Sequence, residues 1–180
     1  MPPLSTIAIV LGGFIMAVNL PAIFAPAFFR RVATNFPRNI PAAWILTAID
    51  VAWVSWVICH ASLGRFEPLK PLVYVGAPVS FLAMVFFMDE LLAPRALGGL
   101  LLLLANPVLN SARWLDTQWR LVMVVIAYVW VVAGITFVLS PFRLRQAAEW
   151  GTKTDLRCIV GGSIRFLAGL FVLILGLKVY

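Results

Sequence analysis

Two ionisable side chains, Asp50 and Arg165, interrupt long apolar stretches of the sequence. A charged group inside a membrane-spanning helix costs about 2.5–3.5 kcal/mol on insertion scales, so it should face protein or water and have a partner. Each of the two lies about nine residues into its stretch, at matching depth if both stretches start from the same side. We therefore predict an intramembrane Asp50–Arg165 ion pair. We favour a pair that fixes helix register, and the alternative is a coupled pair in a proton or ion pathway.

A second set of polar residues, Asn106, Asn110 and Arg113, is spaced by four and then three residues. This spacing places the three side chains on one face of a helix, which Pro107 interrupts. Such a stripe is typical of interhelical hydrogen bonds that hold a bundle together, which is the interpretation we favour. The alternative is a polar cavity that opens outward.

The single histidine, His60, follows Asp50, Trp53 and Val57 along one helical stripe. An imidazole flanked by tryptophans is compatible with ligation of a tetrapyrrole magnesium, but it is more often an interfacial histidine within an aromatic belt. One histidine excludes an HExxH zinc motif and a bis-histidine haem within one chain. We expect no metal site and no cofactor, with the tetrapyrrole at His60 as the exception to test.

Residue patterns of soluble enzymes are absent: the sequence has no P-loop, GxGxxG, GxSxG or CxxC motif. Asp89 and Glu90 form a carboxylate pair near Arg95, which we interpret as a charge-balanced turn rather than an acid–base pair. Cys59 and Cys158 should lie at opposite ends of their helices, about 20 Å or more apart, too far for a disulfide. We therefore assign no catalytic residue and predict that the protein is not an enzyme.

Three glycines, Gly162, Gly169 and Gly176, repeat every seven residues in the last apolar stretch. Small residues at this spacing let another backbone approach closely in a lipid environment. We predict a helix-packing face, which takes either another helix of this chain or a partner protein.

The overall composition indicates the class of protein in which these residues lie. Of the 180 residues, 63% are hydrophobic and 12% are charged, and the mean hydropathy is +1.01. Soluble domains have about 45–50% apolar and about 25% charged residues, so a water-soluble monomer is excluded. The net charge of +7 is spread between apolar runs, which indicates anchoring against anionic headgroups rather than nucleic-acid binding.

Uncharged runs predict an all-α, polytopic membrane bundle of about six helices, with no soluble domain. The predicted spans are 4–19 or slightly beyond, 41–63, 71–88, 96–112, 121–139 and 156–180; five spans remain an alternative. Eight Lys and Arg residues lie in the first, third and fifth connections and five on the opposite side. This bias predicts cytoplasmic odd-numbered loops and both termini outside. We expect a multi-pass protein of the cell membrane, with a bacterial inner membrane favoured.

A proline, a phenylalanine, two arginines and a closing aromatic residue recur in segments 26–36 and 141–150. Each segment follows one predicted span and leads into another. The first has the spacing of an interfacial amphipathic helix. We treat residues 1–180 as one transmembrane domain, and a helix–elbow–helix repeat of 4–63 and 121–180 as a hypothesis.

The connections are too short to fold a catalytic module outside the membrane. We therefore expect a structural or accessory subunit that packs against a larger membrane complex or against itself. The alternative is a small transporter or ion-conducting protein that uses Asp50 and Arg165.

Overall fold

The computed structural model describes residues 3–88 and 91–180, and of Phe66 the backbone only. Within these residues the fold is all-α, as predicted. The eight α-helices are α1 (Leu4–Phe24), α2 (Pro26–Asn35), α3 (Ile40–His60), α4 (Pro71–Phe87), α5 (Leu92–Arg113), α6 (Arg120–Leu139), α7 (Phe142–Gly151) and α8 (Asp155–Lys178). Short 3₁₀ turns at Phe36–Arg38 and Gly64–Leu69 flank α3.

Five of these helices, α1, α3, α5, α6 and α8, are long and apolar enough to cross a membrane. The remaining predicted span, 71–88, forms the 17-residue helix α4, which rises only about 25 Å. A hydrocarbon core is about 30 Å thick. The structure therefore has five helices of full spanning length and one shorter apolar helix in its described part.

Local signals explain where the helices begin and end. The Asn39 side chain accepts a hydrogen bond from the Ala42 amide at the start of α3, and Thr154 caps α8 in the same way. The turn into α5 passes through Leu91, whose φ of 58° is rare for a residue with a side chain. Pro21 does not end α1, which continues three residues further to Phe24, past the predicted end near residue 19.

The helices alternate in direction, so the bundle has two ends. We call the end that holds α2, α7 and the α4–α5 connection the elbow end. The opposite end, with His60, Arg113 and Tyr180, is the loop end. The eight Lys and Arg residues counted in the odd-numbered connections lie at or near the elbow end. Which end faces the cytoplasm stays a prediction.

Packing divides the bundle into two groups of helices. Helix α8 lies along α1, whereas α5 lies between α6 and α3, and α4 packs on α3. At the loop end, α1, α5, α6 and α8 share a buried cluster that includes Leu4, Val108 and Met123. At the elbow end, a smaller cluster joins Ala43, Val85 and Ala93 of α3, α4 and α5.

The short helices α2 and α7 follow α1 and α6 respectively, and each leads into the next long helix. They contact each other, and the Arg30 guanidinium of α2 forms an ion pair with Asp155 at the start of α8, at 3.2 Å. Segment 26–36 is largely helical, as its periodicity predicts. The proposed sequence repeat is not tested by this arrangement and stays a hypothesis.

Candidate functional site

Asp50 lies halfway along α3 and is directed at α5. Its Oδ2 atom is 2.8 Å from the position that a Cβ atom would take on Gly99. The absence of a side chain on Gly99 is therefore what allows the carboxylate to lie against α5. The second oxygen, Oδ1, is buried and has no hydrogen-bond partner in the described part of the chain. A carboxylate left in this state is costly in an apolar environment, so it needs a further partner, a proton or water.

The predicted Asp50–Arg165 ion pair is not formed. Arg165 Nη1 instead lies 3.5 Å from Oδ1 of Asn19, at the long limit of a hydrogen bond. The cause is the arrangement of the helices around the bundle: α8 packs along α1, whereas α3 packs against α4 and α5. Each charge lies near the middle of its own helix, as the sequence indicates, but the two helices are not packed neighbours.

The predicted stripe on α5 continues the line that starts at Asp50. Asn106 and Asn110 follow Gly99 by seven and eleven residues, which places both within about 20° of it around the helix. The Asn110 amide donates a 2.9 Å hydrogen bond to Asn106 Oδ1. Asn106 and Arg113 are exposed, and Asn110 is half-buried. We call Asp50, Asn106, Asn110 and Arg113 the polar stripe; it runs from the middle of the bundle to the loop end.

His60 ends α3 at the loop end and is exposed. Its Nδ1 lies 2.8 Å from the Trp56 carbonyl oxygen, and the two rings are in contact, with centroids 4.7 Å apart and planes tilted by 35°. Because a carbonyl oxygen accepts only, Nδ1 carries the proton in this contact, and Nε2 of a neutral ring is left as an acceptor. Ligation of a tetrapyrrole through Nε2 is compatible with this geometry and stays a hypothesis.

The three glycines of the last helix are covered by α1. A Cβ atom on Gly162 would lie 2.7 Å from Ala22 Cβ, and one on Gly169 would lie 2.9 Å from Ile15 Cγ2. A Cβ atom on Gly176 would lie 2.9 Å from the Ile9 amide nitrogen. Of the two occupants predicted for this face, the structure has a helix of the same chain in place. The glycines therefore offer no argument for a partner protein.

The remaining predicted features contribute little to a site. Cys59 and Cys158 are both free, as predicted. Asp89 and Glu90 lie outside the described residues. Within residues 3–88 and 91–180, no three His, Cys, Asp or Glu side chains come together in a way that could hold a metal ion.

Two residues important to these contacts were missed by the sequence analysis. Asn19 is 6% exposed, and its amide donates a 2.8 Å hydrogen bond to the Ile15 carbonyl while its oxygen faces Arg165. The sequence did contain a signal for Asn19, because a carboxamide in an otherwise apolar helix needs a polar neighbour. The role of Gly99 had no such signal, since the Gly98–Gly99 pair does not indicate which glycine faces α3.

Comparison of the chain with protein-family models, curated proteins and solved structures gives no match.

Proposed function

We propose that this chain is a non-enzymatic, multi-pass membrane protein that associates with another membrane-spanning protein, or with a second copy of itself, through the polar stripe. The observation that carries the proposal is Asn106, an exposed carboxamide about 10 Å before the end of α5, a helix of membrane-spanning length. A polar side chain at such a depth is rarely left against lipid, because lipid offers it no hydrogen bond.

Asp50 supports the same conclusion. Its buried Oδ1 has no partner in the described part of the chain, although neighbouring hydroxyls on α3 are satisfied within their own helix. Oδ1 itself is covered by the chain, but Asp50 as a whole is half-buried, so a partner helix with a Lys, Arg, Ser, Thr or Asn at this height would approach the carboxylate from outside. Further donors along the same helix would be needed for the two asparagines, which lie about 10 and 16 Å closer to the loop end. The occupant we propose is therefore a transmembrane helix with at least one donor side chain at mid-depth.

The uneven burial of the helices adds a further argument. Of the most apolar 18-residue window of α3, 11% is buried inside the chain, compared with 39% for α5. Helix α3, which holds Asp50, therefore has most of its surface available for contact with another molecule. Lipid can cover an apolar surface of this kind, but only protein or water can satisfy the polar stripe that adjoins it.

The test is site-specific photocross-linking in membranes, with the cross-linker placed at Asn106 or, as the control, at Val125. Val125 is 60% exposed on the neighbouring helix α6 and belongs to no polar stripe. We expect one defined protein adduct from position 106 and none from position 125. Asp50→Asn should reduce the yield of the adduct. Thr136→Val should not, because the Thr136 hydroxyl already bonds the Val132 carbonyl at 2.7 Å. Equal adducts from both positions would contradict the proposal.

A second candidate function is favoured by the same unpartnered oxygen. A carboxylate at mid-depth that adjoins a line of polar side chains to one end of the bundle has the features of a half-pathway for protons or a small cation. Purified protein in liposomes would then carry a flux that Asp50→Asn abolishes. Asn106→Leu should reduce that flux, and Thr136→Val should leave it unchanged. Flux in the absence of any cross-linked protein would favour this function over association.

A further inference from the structure

A pocket of about 310 Å³ lies at the elbow end, between α2, α7 and the first turns of α8. Its walls are largely apolar or small and include Phe29 and Ala33 of α2, Leu144 and Ala148 of α7, and Cys158 of α8. Among the described residues, the charged side chain that lines it is Arg165. The volume is at the small end of the range for ligand pockets, about 300–1,000 Å³. We call this the elbow pocket.

The side chain of Arg165 runs toward the elbow end. A Cβ atom on Gly161, four residues earlier, would lie 3.3 Å from Arg165 Nη2, so the side chain extends back over one helical turn. Gly161 is six residues after the start of α8, a rise of about 9 Å. The guanidinium is therefore near the level at which a long basic side chain reaches the headgroups of a bilayer.

The guanidinium has no anionic partner in the described residues. Its polar neighbour is the neutral oxygen of Asn19, at 3.5 Å. The nearby carboxylates are engaged elsewhere: Asp155 pairs with Arg30 at 3.2 Å, and Glu149 pairs with Arg145 at 2.7 Å. A permanently charged group between apolar helices, with no acid beside it, is suited to an anion brought from outside the chain.

The helices around the pocket indicate where that anion comes from. Both α2 and α7 expose large apolar side chains next to arginines; Phe28 is 61% exposed and Trp150 is 71% exposed. Helices of this kind lie in the headgroup region, with their apolar faces toward acyl chains. An anion that enters between them would arrive attached to lipid, because the apolar walls of the pocket suit a hydrocarbon segment and would not suit a free hydrated ion.

We propose that the elbow pocket binds one anionic phospholipid, with its phosphate on the Arg165 guanidinium and the adjoining hydrocarbon between α2 and α7. This rests on the chain being a membrane protein, as proposed above, but not on any role of the polar stripe. The guanidinium would donate its N–H groups to the phosphate oxygens, a geometry that Arg favours. A soluble phosphate compound has the same anionic chemistry, so the experiment must separate the two sources.

The experiment measures lipid retention by the purified full-length chain in mild detergent, using native mass spectrometry. The three probes are phosphatidylglycerol, phosphatidylcholine with the same acyl chains, and glycerol 3-phosphate. We expect one phosphatidylglycerol per chain, bound at least about tenfold more tightly than either other probe, as expected for a charge-assisted contact. Equal retention of phosphatidylcholine would overturn the proposal. Equal binding of glycerol 3-phosphate would assign the pocket to a soluble phosphate compound and overturn the lipid.

Matched variants locate the site. Arg165→Gln should weaken phosphatidylglycerol binding about tenfold or more. Arg143→Gln removes the same charge from α7 at the same end but outside the pocket lining, and should change binding less than about twofold. Equal losses in both variants would show diffuse attraction to a basic surface and overturn the proposal.

Ala148→Leu keeps every charge and narrows the pocket, so it tests the site even if Arg165→Gln fails to fold. We expect it to reduce retention, whereas Gln146→Leu, which adds a similar side chain at an exposed position of α7, should not. Full retention in Ala148→Leu would overturn the pocket as the site. None of these measurements depends on the cross-link at Asn106. The proposed lipid site and the proposed association can therefore be contradicted independently of each other.

Discussion

Two helix contacts of the bundle differ in what holds them together. Along α1 and α8, glycines bring the two backbones into direct contact: a Cβ atom on Gly12 would lie 2.6 Å from the Leu173 amide nitrogen. Between α3 and α5, the glycine at the crossing, Gly99, adjoins the end of a flexible and charged side chain instead. We call the first contact the glycine seam. It is closed by the chain's own backbone, whereas the contact at Asp50 leaves a polar group unsatisfied.

This difference decides which of the two contacts is explained by folding alone. Backbones that touch along a seam gain dispersion energy, which is the main drive for helix association in lipid. An unpartnered carboxylate adds nothing to the stability of the isolated chain and costs free energy in an apolar environment. The glycine seam therefore has a sufficient explanation in folding, and the Asp50 contact does not. For this reason the proposals on association and on ion movement both start from Asp50.

The largest effect on stability should come from adding a methyl group at the glycine seam, where the two backbones leave no room for it. Gly12→Ala places a methyl group against the α8 backbone, which cannot move aside cheaply, so we expect a loss of about 2–3 kcal/mol in the free energy of unfolding. Unfolding in mixed detergent micelles, followed by circular dichroism, measures it. Gly13→Ala is the matched control, because its Cβ would meet only Leu173 Cδ1, at 4.0 Å. That variant should be neutral or slightly stabilised. Equal losses in both variants would contradict the packing described for this seam.

The second effect, from a substitution of Asp50, should be a gain in stability. Asp50→Asn removes a charge that the isolated chain does not satisfy, so we expect it to stabilise the purified protein by about 1–2 kcal/mol. The same unfolding assay applies, with Asp116→Asn as a control at an exposed position. The control should stay within about 0.5 kcal/mol of the parent. If Asp50→Asn destabilises the isolated chain, the carboxylate has a partner within it, and the contrast with the glycine seam disappears.

The positions of the long helices could be predicted from the sequence because they depend mainly on local runs of uncharged, apolar residues. Uncharged runs of about 20 residues located all five long helices, and prolines at the start of α2 and α4 agree with the observed beginnings. The ends were less accurate where a proline lies inside a helix, as Pro21 does in α1. A proline removes one backbone hydrogen bond, and neighbouring helices can compensate for that loss in ways that the local sequence does not record.

The candidate site was less predictable because it depends on which helices are neighbours. The sequence indicates how far along its own helix a residue such as Asp50 or Arg165 lies. It does not fix the order of helices around the bundle. That order follows from close crossings such as Gly12 with Gly169, and Gly98 with Gly134, where an added Cβ atom would lie within about 3 Å of the other backbone. Pairs of glycines far apart in sequence give no local signal of such contacts.

A third effect, smaller than the first two, distinguishes the observed partner of Arg165 from the predicted one. In a double-mutant cycle, Asn19→Leu and Arg165→Gln should couple by about 0.6 kcal/mol, the average for a polar contact between transmembrane helices. Asp50→Asn and Arg165→Gln should instead be additive. Both cycles use the same detergent unfolding assay. Coupling in the second cycle but not in the first would restore the ion pair that the structure does not form.

The smallest effect concerns the loop end, where Tyr180 joins the end of α8 to the α5–α6 connection. Its hydroxyl donates a 2.6 Å hydrogen bond to the Trp119 carbonyl, and burial raises the pKa of the phenol above its ordinary value of 10.0. A raised pKa means that the folded state holds the proton more tightly than the unfolded state does. The stabilisation is therefore complete below about pH 10 and is lost as the pH rises through the folded-state pKa. We expect the unfolding midpoint to fall as the pH rises above about 10. Tyr180→Phe should make this fall shallower, whereas Tyr74→Phe, at an exposed position of α4, should leave it unchanged. The midpoint could instead depend on pH with the same slope in both variants. In that case the hydrogen bond to Trp119 does not stabilise the end of α8, and the contact between α1 and α8 depends on its glycines alone.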